Sequence, residues 1–159
     1  MGVVFRDFSV QLKAAVNKTS LAWLGETANE IASKAASTCQ MSSDDGGQLR
    51  GSYQSKVNGS TAKVGSPLES AYWEEWGTGE YAAHGDGRPG WWVYVEGMNN
   101  HSAKTRSEEN AQEVAASMRA DGFPAHATNG RPPSYTLENA FKYVMPKAEK
   151  ELERRLGEL

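Results

Sequence analysis

Asn58-Gly59 lies between two strand-like runs, Gln54-Ser-Lys-Val57 and Ser60-Thr-Ala-Lys-Val64. An Asn-Gly pair in that setting favours a type I′ turn, whose two central residues both take φ > 0, so the runs must return on each other as an antiparallel hairpin. Whatever else the chain builds has to cover that hairpin. Helical patterns flank it on both sides. Leu21, Leu24, Ala28, Ile31 and Ala35 step by three and four inside a helix expected over Phe8–Ser37. Phe8, Leu12 and Val16 make an earlier stripe. Asn17-Lys-Thr19-Ser20 is a poor helix run and predicts a break there, with Ser9 and Thr19 as caps. At the far end Leu137, Phe141, Val144, Ala148, Leu152 and Leu156 predict a C-terminal helix capped by Ser134 or Thr136. Pro146 falls inside it and is expected to bend it by deleting the bond to the Lys142 carbonyl.

The middle of the chain is more irregular. Ser42–Gln48 reads as a turn in which Asp45 and Gln48 have capping-box spacing, followed by a short helix ending near Ser52. After Pro67, Ala71–Trp76 alternates so that a strand would place Tyr72, Glu74 and Trp76 on one face and Trp73 and Glu75 on the other. Gly77–Gly90 (GTGEYAAHGDGRPG) is a long loop, and Gly90–Val95 a second aromatic strand, bulky on both faces. An excursion follows at about 96–131. It carries a helix over Ser107–Ala120 behind the capping-box pair Thr105 and Glu108. The order predicts one α+β domain over 1–159: a long N-terminal helix, a small mostly antiparallel sheet with the Asn-Gly hairpin, an inserted helix and a long C-terminal helix.

Few function classes survive the residues. Seventeen Lys and Arg against twenty Asp and Glu give a net charge of −3, with no cationic excess for neutralising phosphates. The lone Cys39 excludes an internal disulfide and a cysteine zinc cluster. The N-terminus lacks the apolar run of a signal peptide, Arg6 stands where a myristoylation signal has Ser or Thr, and no stretch suits a membrane span. The cytosol is the expected compartment. His84, His101 and His126 sit in polar loops without metal-ligand spacing; His84-Gly-Asp86 comes nearest to it. No nucleophile elbow, P-loop or dinucleotide fingerprint occurs. A glycosidase-like pair would have to come from Glu74 or Glu75 with Glu69 or Asp86, beside a sugar platform of Trp73, Trp76, Trp91 and Trp92. Aromatic core packing or a protein interface accounts for the same tryptophans.

Four pieces recur in a known order: Leu49-Arg50-Gly-Ser52 after an alanine-rich helix, the Asn-Gly hairpin, Tyr72-Trp-Glu-Glu75-Trp76-Gly77-Thr78-Gly79, and Pro132-Pro133-Ser-Tyr135 before the last helix. Together they resemble the neck, or head–tail joining (tail-completion), protein family of long-tailed double-stranded DNA phages. Tyr72, Glu75, Trp76, Gly77, Thr78 and Gly79 match that family's "tyrosine, x, x, glutamate, aromatic, Gly-Thr-Gly" element position by position. Pro133, Tyr135 and Leu137 match its proline–aromatic–leucine run with an extra residue in each gap. Residues 96–127 and the expanded Gly77–Gly90 loop depart from the pattern.

The resemblance implies a structural virion subunit with no catalytic residues, no cofactor, no metal and no membrane. Its expected partners are copies of itself in a six- or twelve-fold ring, portal-side connector and tail-tube proteins, and phage DNA that passes without sequence-specific binding. It would be made in the host bacterial cytoplasm. The expected interface is Trp73, Trp76, Gly77, Thr78, Gly79, Tyr81, Trp91 and Trp92, with the Gly77–Gly90 loop reaching a neighbour. The alternatives are a carbohydrate-binding or glycan-hydrolysing module on the tryptophans and, third, a DNA-contacting packaging factor, which the acidic balance opposes.

Overall fold

Two helices carry the frame. In this computed structural model, which describes residues 9–40, 47–98 and 102–159, α1 (Ser9–Thr38) lies along α5 (Thr136–Gly157). Their contact buries Ile31 and Ala35 against Ala140, Val144 and Ala148. These small side chains let the two backbones approach closely, and half-buried Trp23, Val64, Leu137 and Met145 fill the flanks. The Trp23 indole donates to the Ala148 carbonyl at 2.7 Å, and Arg155 reaches Glu26 at 2.7 Å across the pair.

The break expected at Asn17–Ser20 is absent, and α1 runs through it. Such residues cost only a few tenths of a kcal/mol each in a helix, roughly, and packing along α5 outweighs that. Phe8, the Ser42–Gly46 turn with Asp45, and His101 lie outside the described residues.

Short α2 (Gln48–Ser52) leads into β1 (Gln54–Asn58) and β2 (Thr61–Gly65), which pair antiparallel and pack on α1. The hairpin forms, one residue later than expected. Asn58 pairs with Thr61, so Gly59-Ser60 is the loop, and Gly59 alone takes a positive φ, 57°. A turn that needs positive φ only at its first, glycine position leaves Asn58 free to extend the strand.

Ala71–Trp76 is not a strand. It belongs to α3 (Glu69–Trp76). The alternation of aromatics and glutamates suggested a period of two, but the buried positions are Ala71, Glu74 and Glu75, a helical i, i+3, i+4 stripe. Beyond α3, β3 (Thr78–Gly79) pairs with a distant partner, β7 (Gly130–Arg131), and these two form a stem. Between them lie β4 (Trp92–Val95), β5 (Ser102–Lys104), α4 (Glu108–Ala120) and β6 (Ala125–Thr128). The strands order as β5-β4-β6, all antiparallel, with α4 on one face over a second core of Val93, Val95, Ala111, Ala115 and Ala125. The α+β architecture stands, with its strands divided among three small sheets in the described residues.

The cap of α4 is Ser107, whose hydroxyl accepts from the Asn110 N–H at 3.2 Å. Thr105 instead donates to the Trp91 carbonyl at 2.9 Å. Neither Ser134 nor Thr136 caps α5. Tyr135 stands at that position in a left-handed conformation, φ 49°, without a side-chain cap, and α5 stays helical through Pro146.

Candidate functional site

The stretch from α3 to β3 is where the chain's parts meet. Ser66 Oγ accepts from the Leu68 N–H at 3.1 Å just before α3, and Gly77 ends the helix at φ 78° with its N–H on the Trp73 carbonyl at 2.9 Å. The last turn of α3 aims both glutamates inward. Glu75 accepts from the backbone N–H of Leu137 at 2.7 Å and of Glu138 at 3.0 Å. A carboxylate from another element thus supplies the cap that α5 lacks, where the positive end of the helix dipole favours negative charge.

Glu74 joins three further segments. Its Oε1 accepts from the Gln40 N–H at 2.9 Å and the Thr136 hydroxyl at 3.3 Å, and its Oε2 faces the Arg131 guanidinium at 3.1 Å. The Glu74 side chain is 2% exposed and that of Arg131 41%, so the pair spans from interior to solvent. The Ser134 and Tyr135 N–H groups donate to the Glu74 and Glu75 carbonyls. The end of α1, β7 and the start of α5 are therefore all fastened to two adjacent residues. Tyr53 lies close by. Burial first, then the charges of Cys39, Glu74 and Glu75, hold its hydroxyl well above its ordinary 10.0.

The Gly-Thr-Gly element closes the stem. Thr78 Oγ1 accepts from the Arg131 N–H at 3.0 Å. Gly79 sits at φ 62°, and a Cβ there would lie 2.0 Å from the Asn129 carbonyl oxygen, so only glycine permits the approach. Gly77 and Gly79 are buried against their own chain. The Gly77–Gly90 loop folds back on α3. Tyr72 donates to Asp86 at 2.7 Å, the His84 ring lies 4.5 Å from that of Trp76, and the Ala83 N–H donates to the Trp76 carbonyl at 2.8 Å.

The expected interface residues do not form one patch. Trp73 and Trp76 are half-buried on α3; Trp73 sits edge-on to Tyr72, and Trp76 edge-on to Tyr135. Tyr81 is 47% exposed on the loop. Trp91 packs towards the α4 core, whereas Trp92 lies on the opposite face of the sheet under the Arg88 guanidinium. Opposed faces prevent Trp91 and Trp92 from joining one sugar platform. Glu74 and Glu75 are buried and committed to Arg131 and to the α5 backbone, whereas Glu69 and Asp86, the carboxylates that would complete a glycosidase-like pair, are exposed, and Asp86 accepts from Tyr72. His126 stacks on Tyr94 and lies 3.5 Å from Glu96, and among the described residues no group of His, Cys, Asp and Glu is placed to hold a metal ion. No helix among them is long and apolar enough to cross a membrane.

An apolar groove of about 630 Å³ opens between α1, the hairpin and α5, beside the Glu74–Glu75 hub. Trp23, Ile31, Val64, Leu137 and Phe141 line it, with Trp76 at its rim, and Phe141 is 51% exposed. Local patterns in the sequence mark Trp76 but neither the groove, nor the Glu75 cap on α5, nor the partners of Glu74. Ser66 and Glu69, at capping-box spacing, were the available sign that a helix begins there.

The profile of one known family, described as "Bacteriophage HK97-gp10, putative tail-component", matches residues 5–96, more than half of the 159-residue chain. The match runs from α1 through the hub and β3 into β4, and stops short of β5, α4, β6 and α5. Neither the curated proteins nor the solved structures contain a match to the chain.

Proposed function

We infer the function from the family: the chain belongs to the HK97-gp10-like family of bacteriophage tail components. On that premise we propose that it is a structural subunit of the head-to-tail junction, in a neck or tail-completion ring. There it joins the tail to the DNA-filled head and lines the passage for DNA. The observation that carries this is the match over residues 5–96, which takes in the whole Tyr72–Gly79 element.

The surface supports it. Val10, Leu12 and Leu21 on α1 and Phe141 and Tyr143 on α5 are exposed large apolar or aromatic side chains, and the Trp76-rimmed groove is open on one side. A ring subunit covers such surface with its neighbours. A closed ring needs heterologous contacts, one patch of each copy on a different patch of the next. In this proposal Trp73, Trp76, Thr78, Tyr81, Trp91 and Trp92 are shared between the fold and such contacts, and Gly77 and Gly79 shape the backbone beneath them. Neighbouring rings on the portal side and the tail-tube side complete the partners.

Light scattering on the purified protein over a concentration series, alone and with portal-bearing heads, tests this. A closed ring of one size, or a monomer that joins heads, is the expected result. A monomer that ignores both heads and tails under all conditions overturns it.

A further inference from the structure

The segment between β3 and β7 is a two-layer unit with its own core, held to the body by the short β3–β7 stem. Its two outer faces differ in chemistry. On the sheet face, opposite α4, the register places Trp92 beside Lys104 and Thr128, and Tyr94 beside His126. Arg88 lies over the Trp92 ring at 5.3 Å, and Glu96, beside the histidine, is engaged with His126. This face is aromatic with cations set over it.

The other outer face is that of α4. Ala111 and Ala115 point into the core, so helical spacing puts Glu109, Glu113, Ala116 and Ala120 on the outward stripe, and all four are exposed. Arg119, on the flank, donates to the Ala125 carbonyl at 2.7 Å. The outward stripe is acidic at its start and small further on, so it offers carboxylates to cations and a shallow bed for aromatic rings.

We propose that these two faces dock on each other between copies: the Arg88–Trp92–Lys104 face of one subunit on the Glu109–Glu113 stripe of the next. The occupant is a second copy of this chain, argued from the charge complementarity of the two faces. Because the faces differ and lie on opposite sides of one unit, the contact is heterologous, as ring closure requires. Arginine and tryptophan are also residue types that carry interface energy. The proposal rests on the ring reading above and adds to it a contact made by residues mostly outside the family match.

The test uses two full-length variants. One carries Arg88→Glu with Lys104→Glu, so both of its faces are acidic. The other carries Glu109→Lys with Glu113→Lys, so both are basic. Sedimentation velocity over a concentration series, without and with portal-bearing heads, compares each alone, the equimolar mixture and wild type. Each variant alone is expected to self-associate at least roughly tenfold more weakly than wild type. The mixture is expected to recover association towards the wild-type level, because every contact in an alternating assembly again joins opposite charges, half in the native sense and half with the signs exchanged.

Variants that each assemble like wild type overturn this contact and leave the ring standing. A mixture that stays dissociated overturns it too. A wild-type protein that never self-associates, alone or on heads, overturns the ring reading and this contact together. Lys104, Glu109 and Glu113 are exposed and Arg88 is half-buried; circular dichroism checks folding, and the single pair Lys104→Glu and Glu113→Lys repeats the test if either double variant unfolds.

Discussion

Replacing Glu75 with alanine should loosen the start of α5, whose buried face packs on α1. The Glu75 carboxylate is the acceptor for the Leu137 and Glu138 N–H groups, and α5 has no cap from Ser134, Tyr135 or Thr136 to take its place. Leaving a donor unsatisfied costs about 1–3 kcal/mol when it is buried. Losing a helix cap costs about 1 kcal/mol. Leu137 is half-buried and Glu138 exposed, so water relieves part of the loss, and the expected total is about 3 kcal/mol. For a chain of this size that is a fall in Tm of roughly 6–12 °C. Glu75→Gln keeps one carbonyl oxygen and should lose about half as much. Urea unfolding monitored by circular dichroism measures both, with Glu69→Ala on the exposed first turn of α3 as the control. Hydrogen exchange at the Leu137 and Glu138 amides should accelerate in step. A Glu75→Ala protein within about 0.5 kcal/mol of wild type, with those amides still protected, would refute the capping role.

Gly79→Ala should be worse than a typical surface change, by more than about 2 kcal/mol, because the new Cβ meets backbone and φ is positive; thermal melting reads it directly. Arg131→Met removes the cation facing the buried Glu74 carboxylate. Solvent already screens the outer side of that pair, so urea unfolding should show a loss of about 1–3 kcal/mol, with most of it surviving in high salt. Tyr53 has its folded-state pKa raised above 10.0, so its neutral hydroxyl supports the fold fully below that pH and the support is lost as pH rises beyond it. Melts across the alkaline range should slope downward in wild type and more gently in Tyr53→Phe; equal slopes would assign the alkaline loss to another group.

Several elements were legible because their residues carry local instructions. The three-and-four stripes of α1 and α5, the Ser107–Ala120 helix and the hairpin follow from side-chain spacing and turn chemistry that operate within a few residues. The family was legible for the same reason, since Tyr72–Gly79 is one short run. What that run does depends on contacts made only in the folded chain. Tyr72–Trp76 alternates like a strand, yet it is a helix because Glu74 and Glu75 must point together at Arg131, Gln40 and the start of α5. Those partners stand far away in the chain, and no local pattern states where a buried carboxylate finds its donors. The split of the strands into three sheets has the same origin. Gly79 pairs with Gly130 and Val93 with Ala127, long-range closures set by which backbone the rest of the fold brings near and by the absence of a Cβ at the tightest point.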